Sequence, residues 1–192
     1  MSLSPVKITV ALLSVGAVAA AQERAIDVQR STITVHVGKA GLFSAAGHEH
    51  WVSAPISSGT IRESSPPRVE FTVETAKMVV KPDPKVDAAT QAMIQKDMEE
   101  MTLETKKFPR IAFHSSRIEK QGDAQWTVDG DLALHGVTKP VSLIIKRTGD
   151  SYSAHTVLKQ TDFAIKPIKV GGGVIKVKNE VEIDFQIFPS GK

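Results

Sequence analysis

The sequence predicts a mainly β protein: antiparallel strands closing into a sandwich or barrel, with one helix inserted around residues 87–104. Three observations lead there. Apolar and polar residues alternate along most of the chain beyond residue 30, the two-residue period of strands with one dry and one wet face. The joining segments are short and rich in turn residues, at the regular spacing of a sandwich or barrel. One segment alone breaks the period.

The first 21 residues precede this pattern. "MSLSPVKITVALLSVGAVAAAQE" carries one basic residue, Lys7, then an uncharged run from Ile8 to Ala21. Ala19 and Ala21 form the A-x-A arrangement of a signal-peptidase site. The run is too short for a helix crossing a bilayer core of roughly 30 Å. The expectation is a cleaved secretory signal over residues 1–21, leaving 22–192 as one exported domain, periplasmic or secreted.

The strands follow in order. "STITVHVGK" sets Ile33, Val35 and Val37 against Thr32, Thr34 and His36. "RVEFTVET" sets Val69, Phe71 and Val73 against Glu70, Thr72 and Glu74. Ser64-Ser65-Pro66-Pro67 marks the turn before it. The aperiodic "DAATQAMIQKDMEEMTLETKKF" is rich in helix formers. Asp87 suits its N-cap, and Ile94, Met98 and Met101 form one apolar stripe. "RIAFHSSRI" pairs Ile111 with Phe113, and "WTVDGDLALHG" aligns Trp126, Val128, Leu132 and Leu134. "PVSLIIKR" aligns Val141, Leu143 and Ile145, and "EVEIDFQIF" aligns Val181, Ile183, Phe185 and Ile187. Gln121-Gly122-Asp123, Gly149-Asp150 and Gly171-Gly172-Gly173 supply the remaining turns.

Composition excludes several function classes. With no cysteine, the chain is neither a disulfide-stapled miniprotein nor anchored to lipid through an N-terminal Cys. A formal charge of +3 is too small for a nucleic-acid footprint. The lysines at 159, 166, 169, 176 and 178 read as a solvated edge, with at most weak membrane-surface contact. Neither G-x-S-x-G nor H-E-x-x-H occurs, and "VGGGVIKVK" lacks the ending of a phosphate loop. The expectation is a protein that is not an enzyme and requires no cofactor.

Four stretches resemble the YceI family of exported proteins. "VDGDLALHGVTKPVSL", residues 128–143, follows the family's Gly-Asp-Leu and Gly-Val-Thr-Lys-Pro-Val pattern. "KKFPRIAFHSSRI" is similar to its Lys-aromatic-Pro segment, through Lys107, Phe108, Pro109, Phe113 and Ser115. "ITVHVGKAGLF" matches the first-strand segment through His36 and Gly38, and "LKQTDFAIKP" the late strand through Asp162, Phe163 and Ile165. The resemblance implies a lipocalin-like barrel around an apolar tunnel holding an isoprenoid chain, such as a polyprenyl or ubiquinone-like lipid. On that reading Val35, Phe71, Phe113, Leu132, Leu134, Leu143, Phe163 and Phe185 contact the tail, with Met93 and Met98 as liners from the helix. His36 supplies a hydrogen-bonding group near the mouth or floor of the barrel. The apolar lipid is the expected partner, and a homodimer is left open.

The chain departs from the family twice. "KDMEEMTLETKKFP" keeps only Lys96-Asp97 of the family's Arg-Asp-x-His-Leu stretch. "GHEHWV" stands where most members carry aromatics, and it sets His48 and His50 two apart. On a strand such a pair faces one way at roughly 7 Å and can offer two imidazoles to a metal. The alternative function is therefore a periplasmic protein binding zinc or copper through His48 and His50, with His36, His114 or His135 as candidate third ligands.

Overall fold

The computed structural model describes residues 23–40, 49–170 and 175–191. The signal segment, His48 and Gly171-Gly172-Gly173 lie outside these described residues. The elements in chain order are β1 (Glu23–Ala25), β2 (Thr32–Ala40), β3 (His50–Ser53), β4 (Ile56–Arg62), β5 (Arg68–Glu74) and β6 (Val79–Val80). Helix α1 (Ala88–Asp97) follows, then β7 (Arg110–Lys120), β8 (Gln125–Leu134), β9 (Val137–Thr148), β10 (Ser151–Lys159), β11 (Lys169–Val170) and β12 (Ile175–Ile187).

All the strands join one antiparallel sheet in the order β1-β4-β5-β7-β8-β9-β10-β12-β2-β3-β6, with β11 on β12. The sheet closes on itself because β3 runs directly into β4. Ala54 N–H still reaches the Ile33 carbonyl at 2.9 Å, and Pro55 then turns the chain where no donor is needed. β3 thus pairs with β2 through Val35↔Val52, while β4 pairs with β5 through Gly59↔Phe71. At the other end β1 pairs with β4 and meets the end of β12. Ile26 bridges Pro189, and Ser190 N–H donates to the Ala25 carbonyl at 2.8 Å. A ring of about eight strands has an interior just wide enough to be filled by side chains or to hold one ligand.

The inward face is apolar. Ile33, Val52, Ile56, Phe71, Val73, Phe113, Val128 and Leu143 are buried in one cluster. Bulges reset the alternation along two strands. In β7 a bulge between Ser115 and Arg117 moves the inward position from Phe113 to Ile118, and in β4 one between Ile56 and Ser58 brings Ile61 inward.

The helical segment is shorter than its composition predicts. Asp87 caps α1 by accepting from Thr90 N–H at 2.9 Å, but α-helix ends at Asp97. Met98–Thr102 form a π-turn in which Leu103 N–H donates to the Met98 carbonyl five residues back. The wider turn breaks the predicted stripe. Ile94 and Met98 face the protein, Met101 is 64% exposed, and Leu103 is buried instead.

Candidate functional site

Two cavities follow the inward face of the barrel. The deeper, about 80 Å³, is walled by side chains that are apolar except for Thr156. Val35, Phe71, Phe113, Leu132, Leu143 and Phe185 all border it, so the structure gathers six of the predicted tail-contacting residues around one space. Ile33, Ala54, Val73, Met78, Ile111, Val141 and Leu158 complete the wall. Alternation could have flagged most of these. Met78 had no such signal, because it lies in the connection between β5 and β6. Val35, Leu132, Val141, Leu158 and Phe185 remain only half-buried, as side chains around a space do.

The second cavity, about 350 Å³, opens at the end formed by the β4–β5, β7–β8 and β9–β10 hairpin tips. This volume lies within the range of small-ligand sites, about 300–1,000 Å³. Ile61, Val69, Ile118, Trp126, Val128, Ile145 and Ile187 form its apolar floor, and Arg62, Glu63, Arg68, Lys120 and Arg147 its rim. One inward step along β5 and β12 leads from Val69 and Ile187 to Phe71 and Phe185, which border the deeper cavity. The Phe71 ring lies 5.5 Å from Phe113 and 6.4 Å from Phe185. These three rings border the smaller space together. Phe113 and Phe71 lie against glycines of neighbouring strands. A Cβ on Gly130 would stand 2.6 Å from the Phe113 ring, and one on Gly59 would stand 2.8 Å from the Phe71 Cβ.

A polar chain crosses the rim. Tyr152 hydroxyl donates to Glu63 at 2.9 Å, and Arg24 reaches the same carboxylate oxygen at 2.7 Å. Burial, then the bond to Glu63, pushes the Tyr152 phenol up to about 12. For Glu63, burial acts upward, but the Tyr152 bond and the Arg24 and Arg147 charges outweigh it and hold its carboxyl below the usual value. Sequence reasoning missed this network because its members lie far apart in the chain.

Other predicted residues sit elsewhere. His36, expected as a hydrogen-bonding group for the ligand, lies on the outer face. In a regular strand it points opposite Val35, and its ring stacks on Trp51 at 4.3 Å, with Glu49 at 3.3 Å and Glu182 at 3.6 Å. Met93, expected as a liner from the helix, is 54% exposed and borders neither cavity. Met98, Leu134 and Phe163 pack in or against the core but border neither cavity.

His50 lies on β3 opposite Val37 and shares the face of Val52. His114 sits on the outer face beside Glu70 at 3.3 Å. His135 lies in the β8–β9 turn, its ring nitrogens 2.9 Å from the Glu104 carboxylate and 3.2 Å from the Phe163 carbonyl. Among the described residues no group of three or more His, Asp or Glu is placed to hold a metal ion.

Comparison with known proteins places this geometry in context. The barrel superposes on BcnA of Burkholderia cenocepacia with a TM-score of 0.63 at 15% identity, covering 84% of this chain and 98% of that one. It also matches a polyisoprenoid binding domain from Saccharophagus degradans, with a TM-score of 0.59 at 13% identity, covering 88% and 98%. At these identities the likeness is one of fold. Protein YceI of Escherichia coli O157:H7 is 38% identical over 74 residues, which make up 33% of this chain and 38% of that protein. The chain thus spans well under half the length of this curated relative. The family model for the YceI-like domain matches residues 25–188, nearly all of the closed barrel, and the chain belongs to the YceI family.

Proposed function

We propose that this protein is an exported carrier that holds an isoprenoid or similar apolar lipid in its barrel, without catalysis. The observation that carries the reading is the pair of cavities along one inward face, the smaller walled almost wholly by apolar side chains. Such a wall removes a hydrocarbon tail from water at about 25 cal/mol per Å² and needs few polar contacts. Binding of polyisoprenoid by the Saccharophagus degradans relative supports the same class of ligand. Export is read from the Ala19-x-Ala21 segment.

Native mass spectrometry of the mature chain, purified from a lipid-producing host, tests the proposal. The expected result is an added mass of several hundred daltons that extracts into organic solvent. A bare chain that also takes up no added prenol or quinone would overturn it. Metal analysis of the same sample, with a His48→Ala/His50→Ala variant, reads the zinc or copper alternative independently.

A further inference from the structure

We propose that the barrel wall has a lateral slot between β9 and β10, through which the apolar tail enters and leaves the interior. The slot rests on the carrier reading and adds to it the route of the ligand.

The two strands are neighbours in the sheet, yet they are joined at one end only. β9 pairs with β8 from Val137 to Lys146, and β10 pairs with β12 from Tyr152 to Lys159. Between themselves β9 and β10 share three pairs beside their turn, the last being Ser153↔Lys146. Beyond that point, Val137–Ile145 and Ala154–Lys159 run without a ladder between them. The far end is shut by the short turn Gln160–Phe163. Its Phe163 is 2% exposed, the Phe163 carbonyl lies 3.2 Å from His135 Nδ1, and Asp162 lies 3.9 Å from Lys139 Nζ. The unpaired stretch is therefore bounded at both ends.

Inside it, Val141 and Leu143 of β9 and Thr156 and Leu158 of β10 border the 80 Å³ cavity, which thus lies directly behind the slot. Ile145, the first β9 residue past the pairing, borders the larger cavity. Outside, alternation turns Ile144 and Val157 to the opposite face, and they are 57% and 51% exposed, one on each lip.

A frayed ladder is often filled by side chains alone, and single exposed apolar residues are ordinary. Here exposed apolar side chains stand on both lips and an apolar cavity lies between the same two strands. An inserted peptide strand would need donors along the edges, and Pro140, within the unpaired stretch, has no N–H. A hydrocarbon tail makes no such demand.

The chain has no cysteine, so Ile144→Cys/Val157→Cys places its only two thiols on opposite lips. The folded mature chain carrying both is bridged with a short bis-maleimide. Lys146→Cys/Ser153→Cys, at positions the ladder already holds together, is bridged as the control. Each protein is loaded with geranylgeraniol and chased with its deuterated form, and native mass spectrometry follows the exchange. Bridging the slot should slow exchange by about tenfold or more. A titration should find the same Kd, because a narrowed passage slows entry and exit alike. The unbridged variant and the bridged control should exchange at the unaltered rate. Exchange that the slot bridge leaves unchanged would overturn the route and leave the carrier reading standing. Equal slowing by both bridges would overturn the assignment to the slot. So would a slot bridge that weakens Kd without slowing entry, since that marks a lost contact rather than a closed passage. A chain that takes up no geranylgeraniol would overturn the inference together with the carrier reading.

Discussion

Tyr152 is the only tyrosine in the chain, which makes its environment directly measurable. Burial and the bond to Glu63 raise its phenol to about 12, against about 10 for a free tyrosine. The folded value lies above the unfolded one. The contact therefore contributes stability that is fully present below pH about 10 and is lost as pH rises through about 12. Ultraviolet titration of the native protein should show the phenolate forming only near the upper limit. Glu63→Gln should bring the midpoint down without returning it to 10, since burial remains. A midpoint at 10 in the unaltered protein would show that Tyr152 is not desolvated at the rim. At this scale the sequence was uneven as a guide. Alternation placed His36 opposite Val35, and only the family resemblance drew it toward the ligand. Nothing local linked Arg24, Glu63 and Tyr152, because the strand pairing that joins them spans most of the chain.

At the scale of elements, the helix shows where composition stops being informative. Its start was legible because an N-cap is a local device, and Asp87 carries it. Its end was not, because Glu, Met, Thr and Lys continue past Asp97 while the backbone widens into the π-turn. Equally hidden was how α1 attaches. Gln95 accepts from Val80 N–H at 2.8 Å and donates to the Met78 carbonyl at 3.0 Å, and Gln91 donates to the Val80 carbonyl at 3.2 Å. The two side chains stand in for a further strand beside β6, the edge of the sheet. In sequence they read as ordinary surface helix formers. Gln95→Leu keeps helix propensity but leaves the Val80 N–H and the Met78 carbonyl without these partners. The expected loss is about 1–3 kcal/mol, with faster amide exchange confined to β6 and α1. Unchanged exchange at Val80 would show that Gln95 does not hold that edge.

At the scale of the whole molecule, alternation revealed β2, β5, β7, β8, β9 and β12 within a few residues, and with them an apolar interior. It could not reveal closure. The ring depends on β3 continuing through Pro55 into β4, and on β1 meeting the end of β12, both properties of tertiary register. Nor could it show that the interior holds two spaces, since the parity of Phe113 marks it as inward but not which space it borders. The place of Phe113 in the wall of the smaller space carries a further prediction. Phe113 is 2% exposed and its ring packs on Gly130, so Phe113→Ala should cost about 3–5 kcal/mol. The same change enlarges the 80 Å³ space that Phe113 borders and is expected to extend it toward the 350 Å³ one. A ligand that binds only the folded state stabilises by about 2.7 kcal/mol at a hundred times its Kd. A tail that can now reach further into the barrel should bind more tightly and stabilise the variant further. Melting curves with and without a long prenol should therefore show a lower transition for unliganded Phe113→Ala, and a larger lipid-induced rise than in the unaltered protein. The excess rise should disappear with a prenol too short to reach the smaller space. An equal or smaller rise with the long prenol would mean that tails do not cross between the two cavities at Phe113.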